Sequence, residues 1–133
     1  MAHRFSMSVY YEDTDLAGIV YYANYFKFIE RARSEALKAV GVDQNELKQR
    51  EMFFVVRKLE AEFLRAAKLH DHLTVTSSVV KVGGVSINLF QSIYLMKTVI
   101  FQCSVKLALV SGLRPIRLSN DLRKSVKKIN EFG

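Results

Sequence analysis

Residues 10–25 contain the residue types in this chain that are best suited to chemistry. Asp15 lies there in a tight turn with Gly18, just before an amphipathic pattern that predicts a helix. A helix N-terminus attracts negative charge because its first backbone N–H groups lack partners. A carboxylate at such a junction suits a reaction in which a carbonyl oxygen gains negative charge while the acid drives the attack. The alternative is that Asp15 only caps the turn and forms a solvated acidic loop with Glu12 and Asp13.

The other reactive residue types do not form a site in the sequence. Cys103 lies in an alternating apolar run with no histidine nearby, which predicts a small core residue. A single cysteine cannot form an internal disulfide, which favours a reducing compartment. His70 and His72 would share one strand face, but a metal site needs three or four ligands and no others have suitable spacing. We therefore predict no metal site.

The composition is that of one globular domain spanning residues 1–133, with 50% apolar and 25% charged residues. The formal net charge of +7 would suit nucleic acid, an anionic membrane surface, a phosphorylated small molecule or only a solubilising surface. We expect no nucleic-acid binding, because zinc-finger spacing, an aromatic RNA-binding signature and a Walker loop are all missing. No apolar run approaches the roughly 20 residues of a membrane span, and the first residues are charged, so we expect a cytoplasmic protein.

From about residue 25 to residue 40 the apolar pattern predicts a helix with one charged residue on its buried face. That face comprises Phe26, Ile29, Arg33, Ala36, Leu37 and Val40. We expect Asn24 to cap the N-terminus of this helix and Gly41 to end it in a left-handed conformation. The polar residues 43–51 that follow would form one or two helical turns.

Strand-like alternation occupies most of the remaining chain. The predicted strands are residues 5–12, 53–63, 72–82, 85–95 and 100–110. Gly83 and Gly84 suit a two-residue hairpin turn, and residues 96–99 would form the next turn. The strand at residues 72–82 is expected to place the following side chains on one side: Leu73, Val75, Ser77, Val79 and Lys81.

A last helix is predicted from Ser119, its N-cap, with Leu122, Val126 and Ile129 on one face. One long helix followed by consecutive antiparallel strands predicts an α+β domain in which the sheet wraps around the helix.

Four motifs together resemble one enzyme family. The pattern Tyr-x-Asp-Thr-Asp-x-x-Gly-x-Val-Tyr-x-x-x-Tyr at residues 11–25 resembles the signature of hotdog-fold acyl-CoA thioesterases. The match is to the 4-hydroxybenzoyl-CoA thioesterase class and its Tol–Pal-associated bacterial branch. Glu-Arg-Ala-Arg at 30–33, Phe-Val-Val-Arg-Lys at 54–58 and Glu-Phe-x-x-x-Ala at 62–67 are also similar to that branch. The similarity extends from residue 5 to about residue 125.

The resemblance implies a long central helix wrapped by a five- to six-stranded antiparallel sheet, with a C-terminal helix. It also implies homodimers or homotetramers with active sites at the dimer interface, and no metal or redox cofactor. The family's essential acid corresponds to Asp15, the oxyanion-binding amide to Tyr22, and a supporting tyrosine to Tyr11. The Tol–Pal-associated branch commonly has histidine at the position of Tyr22, whereas the hydroxybenzoyl-type enzymes can carry tyrosine there.

The resemblance therefore predicts hydrolysis of short-chain or aromatic acyl-CoA, with Asp15 as general base or as nucleophile. The phosphates of coenzyme A would contact Arg or Lys side chains. The residues assigned to substrate binding are Gly18, Val20, Tyr21, Arg57, Lys58 and Lys81. Two alternatives stay open: the substrate is carried by acyl carrier protein, or the chain is a non-catalytic basic scaffold of envelope or phospholipid machinery.

Overall fold

The computed structural model describes residues 2–132. The elements in chain order are β1 (His3–Ser8), α1 (Asn24–Ala39), α2 (Gln44–Gln49), β2 (Phe53–Phe63), β3 (His72–Val82), β4 (Ser86–Leu95), β5 (Thr98–Ser111), β6 (Arg114–Pro115) and α3 (Asn120–Lys127). Short 3-10 helices lie at Tyr11–Asp13 and Lys128–Glu131.

The strands form one antiparallel sheet in the order β1-β3-β4-β5-β2, with β6 added beside the end of β5. The long helix α1 packs chiefly on β1, β3 and β4, so the sheet curls around it. Alternate side chains of each strand face the helix, and those of β4 include the buried Ile87, Leu89 and Ile93. Several apolar side chains of the edge strand β2 are exposed.

The predicted central helix is confirmed, and it begins one residue earlier than expected. Its sheet side carries the small residues Ala32 and Ala36, both fully buried, which let the helix approach the strands closely. Gly41 follows it at φ +87°, the left-handed conformation expected of a helix-ending glycine. The predicted Asn24 cap is wrong, because Ala23 occupies the cap position and makes no side-chain hydrogen bond. Asn24 is the first helical residue, and its amide instead donates to the Asp13 carbonyl at 2.9 Å.

Three predictions about the strands need correction. The first strand ends at Ser8 rather than at residue 12, because Val9 forms backbone hydrogen bonds with His70 and Asp71 instead of continuing the ladder. In β3, a bulge between Val79 and Lys81 shifts the register, so Lys81 lies on the face opposite to the one predicted. The turn between β4 and β5 is also shorter than expected, since β5 already begins at Thr98.

The last helix is confirmed, with Ser119 accepting a hydrogen bond from the Leu122 N–H at 3.1 Å. Val126 and Ile129 are fully buried and dock this end of the chain on the sheet. Among residues 2–132, none of the helices combines the length and the apolar character needed to cross a membrane.

Candidate active site

Asp15 lies at the base of a tight turn. Its N–H donates to the Ile19 carbonyl at 2.9 Å, and its own carbonyl accepts from the Gly18 N–H at 3.0 Å. Gly18 adopts φ +81°, a conformation that a side chain would strain. The Asp15 side chain is exposed, and its Oδ1 accepts from the Ala17 N–H at 2.9 Å. Within residues 2–132 its Oδ2 accepts no hydrogen bond, so the turn orients the carboxylate and leaves one oxygen available.

Asp13 ties this turn to the start of α1. Its side chain is 7% exposed, and Oδ2 accepts from the Tyr10 N–H at 2.9 Å. Its carbonyl accepts from the Tyr21 N–H and from the Asn24 amide, each at 2.9 Å. The sequence suggested a solvated acidic loop as one alternative, yet Asp13 is buried. Its role escaped sequence analysis because nothing local distinguishes it from the neighbouring acids.

At the leading end of α1, two backbone donors have no partner among residues 2–132. The N–H groups of Asn24, Tyr25 and Phe26 donate to the carbonyls of the residues three positions before them, at 2.8–3.2 Å. Within the described residues, the N–H groups of Tyr22 and Ala23 have no acceptor. Such donors at a helix N-terminus are suited to hold a developing negative charge.

An aromatic cluster lies beside these donors. The Phe63 ring packs against Tyr22, Tyr25 and Phe101, with ring centroids 5.8, 6.0 and 5.2 Å apart. Phe63 is 47% exposed at the end of the edge strand β2, and sequence analysis did not assign it to the site. The Tyr25 hydroxyl accepts from the Ala67 N–H at 3.0 Å, and burial raises the pKa of Tyr25. The cluster gives the leading end of α1 an apolar wall.

The other predicted residues of the turn lie close to Asp15. Tyr11 is 83% exposed and lines a shallow depression together with Asp15. Val20 is 3% exposed, and its N–H donates to the Ala67 carbonyl at 2.8 Å. Tyr21 is half-exposed, and its ring lies 5.1 Å from that of Tyr22. The structure thus brings Asp15, Tyr11, Gly18, Val20, Tyr21 and Tyr22 into one region.

The predicted basic residues lie elsewhere. Lys58 and Lys81 both lie on the outer face of the sheet, in one cross-strand row with Asn88 and Lys106 between them. Lys58 also pairs with the exposed Glu60 at 3.1 Å. The His72 end of β3 lies beside the Asp15 turn. Lys81 lies nine residues further along this strand, so it is about 30 Å from His72.

Arg57 occupies the bulge in the edge strand β2 and is exposed. Lys106 was not predicted from the sequence, because its alignment with Lys58 follows only from the strand register.

A separate cavity of about 420 Å³ lies at the opposite end of α1, between α2, α3 and the end of β5. Its lining includes Glu46, Arg50, Arg117 and Ser119, and none of the residues predicted to be catalytic. Among residues 2–132 there is no group of three or more His, Cys, Asp or Glu side chains that is arranged to hold a metal ion.

Comparison with known proteins agrees with this geometry. The thioesterase superfamily model matches residues 17–100 of this chain. An acyl-CoA thioesterase YbgC from Haemophilus influenzae is 35% identical over 122 residues, which covers 90% of each chain. An acyl-CoA thioester hydrolase YbgC from Escherichia coli O6:H1 is 40% identical over 90 residues, which covers 68% of this chain and 67% of the relative. The crystal structure of a probable thioesterase from Bartonella henselae superposes with a TM-score of 0.85 at 34% identity, covering 90% of this chain and all of that one.

Proposed function

Because the chain belongs to the thioesterase superfamily, we propose that it is an acyl-CoA thioesterase whose active site is built from the Asp15 turn and the leading end of α1. One observation carries this proposal. The hydrogen bonds of Asp13 hold two groups in one region: a carboxylate with one oxygen and a helix end with N–H groups that have no partner in the described part of the chain. These are the two groups that thioester hydrolysis needs, a base or nucleophile and an oxyanion-binding donor.

In the proposed reaction, the Asp15 carboxylate takes a proton from water while the water oxygen forms a bond to the thioester carbonyl carbon. The carbonyl oxygen gains negative charge and is stabilised by the N–H of Tyr22, a type of contact that contributes about 3–4 kcal/mol. The C–S bond then breaks, and the coenzyme A thiolate leaves and takes up a proton. Direct attack by Asp15, followed by hydrolysis of a mixed anhydride, uses the same geometry. Incorporation of ¹⁸O from water into Asp15 during one turnover would distinguish direct attack from general-base catalysis.

The apolar wall beside the helix end supports an apolar acyl group as substrate. Tyr22 and Phe63 are both partly exposed, so their rings are available to a substrate. We infer short-chain or aromatic acyl groups, because aromatic rings stack favourably on such a wall. The net charge of +7 supports binding of the coenzyme A phosphates, and it would equally suit an acidic acyl carrier protein.

We also propose that the chain functions as a homodimer joined along β2. This edge strand pairs with β5 alone within the described residues, and it is 11 residues long. Phe53, Val56 and Phe63 are each 47% exposed along it. A long apolar edge of this kind promotes pairing with another strand unless it is covered. A second copy at this edge would also lie next to Phe63 and so close the open side of the aromatic wall.

The proposed function is tested by measuring thiol release from a panel of acyl-CoAs, from acetyl to palmitoyl and benzoyl, and from the matching acyl carrier protein thioesters. We expect turnover of short-chain or benzoyl-CoA, together with a dimer or a tetramer in light scattering. A preference for the carrier-protein thioesters would show that the substrate is an acyl group on acyl carrier protein rather than on coenzyme A. No hydrolysis of any panel member would favour a non-catalytic scaffold.

The oxyanion role is tested with Tyr22→Pro, which removes the backbone N–H at a position where proline is tolerated near a helix start. We expect kcat to fall by about 10²- to 10³-fold. Tyr22→Phe keeps the N–H and reports the loss of the hydroxyl alone, so its kcat should fall far less. Equal losses in the two variants would place the role in the side chain instead.

A further inference from the structure

Gln91 connects the middle of the sheet to α1. It lies on β4 with no exposed surface, and its Oε1 accepts from Arg33 Nη1 at 3.0 Å. Its Nε2 donates to the Ile29 carbonyl and to Ser77 Oγ, both at 2.9 Å. Two of these partners belong to the helix and one to β3, so a single amide ties three elements together. We refer to Gln91, Arg33, Ile29 and Ser77 as the amide clamp.

The orientation of the clamp is determined by its chemistry. Arg33 can only donate and the Ile29 carbonyl can only accept, so turning the Gln91 amide over would place donor against donor and acceptor against acceptor. Arg33 is 9% exposed and has no carboxylate within ion-pair distance among residues 2–132. Gln91 is therefore the acceptor that makes burial of this guanidinium tolerable. Both donors of the Gln91 amide are also used.

The clamp leads directly to the proposed oxyanion site. Regular α-helical geometry places the Ile29 N–H on the Tyr25 carbonyl, one turn nearer the N-terminus. The Tyr25 N–H in turn donates to the Tyr22 carbonyl at 3.2 Å. The sheet is thus connected to the Tyr22 peptide through Gln91, Ile29 and Tyr25. Apolar packing of Ala32 and Ala36 holds the helix on the sheet. Because such packing has little directional preference, it does not by itself fix the position of α1 along the helix axis.

We propose that Gln91 is a positioning residue that sets the axial position of α1 and hence the placement of the Tyr22 and Ala23 N–H groups. The proposal rests on the function proposed above. Gln91 touches no substrate and acts only through the helix. Removing its donors while keeping an acceptor for Arg33 should shift the helix end and lower kcat, with little effect on KM.

The test compares Gln91→Glu with Gln102→Glu. The first substitution keeps the volume and the acceptor for Arg33 but removes both donors of the clamp. The second makes the same chemical change on β5, where Gln102 is partly buried, pairs with Ser92 and lies on the face opposite the helix. For both variants, kcat and KM are measured on the best panel substrate, and the backbone ¹H–¹⁵N signals of Tyr22 and Ala23 are recorded in the full chain.

We expect kcat of Gln91→Glu to fall about 10- to 100-fold relative to Gln102→Glu, since a small misplacement of a catalytic group has effects of this size. KM should stay within about threefold, and only Gln91→Glu should shift the Tyr22 and Ala23 signals. A folded Gln91→Glu with kcat within twofold of the control and both signals in place would overturn the proposal.

Two further arms keep the test decisive. If Gln91→Glu does not fold, Arg33→Met combined with Gln91→Met removes the buried charge and the clamp together, and the same measurements apply. If the wild-type chain hydrolyses no panel thioester, the proposed function fails, whereas the Tyr22 and Ala23 signals still decide whether Gln91 positions the helix end.

Discussion

Replacing Asp13 with alanine should weaken both the fold and the activity, because this side chain anchors the backbone of residue 13, whose carbonyl joins the Asp15 turn to the start of α1. The substitution leaves the partly buried Tyr10 N–H without its acceptor at 2.9 Å. A hydrogen bond to a charged group contributes about 1.5–3 kcal/mol, and we take about 2 kcal/mol here. For 133 residues the unfolding entropy is roughly 280 cal/mol/K, so Tm should fall by about 7 °C.

The activity effect has a separate physical cause. The carbonyl of residue 13 would still accept from the Tyr21 N–H, but without the anchored side chain its position becomes less well defined. We expect kcat to fall about tenfold, since the turn and the helix end no longer hold one fixed geometry. Asp13→Asn keeps an acceptor oxygen and should recover most of the lost Tm.

Asp43→Ala is the matched control for this prediction. Asp43 caps α2 by accepting from the N–H groups of Asn45 and Glu46 at 2.9 and 3.3 Å, at the opposite end of α1. Its loss should cost about 1 kcal/mol and leave kcat unchanged. Differential scanning calorimetry and thiol release at 25 °C measure both quantities. Full kcat in a destabilised Asp13→Ala chain, or equal losses of kcat in the two variants, would contradict this role of Asp13.

Three further predictions concern buried or partly buried side chains. Burial lowers the pKa of His3 below its ordinary 6.5, so the folded state favours the neutral ring. The free energy of unfolding should therefore fall as the pH drops below 6.5. Urea unfolding at two pH values should show this loss in the wild type and not in His3→Phe. Burial raises the pKa of the Cys103 thiol to about 11, so thiol reagents at pH 8 should label it only after unfolding. Rapid labelling of the native chain would contradict the burial of Cys103. Phe28 is fully buried, so Phe28→Ala should cost about 3–5 kcal/mol, and a Tm loss of only a few degrees would show that the core closes around the gap.

Much of the fold follows from local patterns. The amphipathic stripe of α1 and the alternation of β2 and β3 place these elements within a residue of their observed bounds. The bulge at Val80 was not predictable, because no glycine or proline marks it and the register depends on the pairing with β4. It reverses the side on which Lys81 lies, and so changes which basic residues share a surface.

The candidate site was predicted less completely than the fold. The motif at residues 11–25 predicts Asp15 and Tyr22 as site residues, because their spacing is local. It does not distinguish the buried Asp13 from the exposed Asp15, since burial depends on the contacts of Tyr10 and Asn24 in three dimensions. The link between Arg33 and Gln91 joins residues 58 positions apart and has no local signature at either end.

The most direct measurement for the central proposal is kcat of Asp15→Asn on the best acyl-CoA substrate. The amide keeps an oxygen that can accept from the Ala17 N–H, so the turn and Tm should be preserved. We predict that kcat falls by about 100-fold or more, the contribution expected of a positioned carboxylate. A folded Asp15→Asn chain with kcat within threefold of the wild type would contradict the assignment of Asp15 as the group that drives hydrolysis.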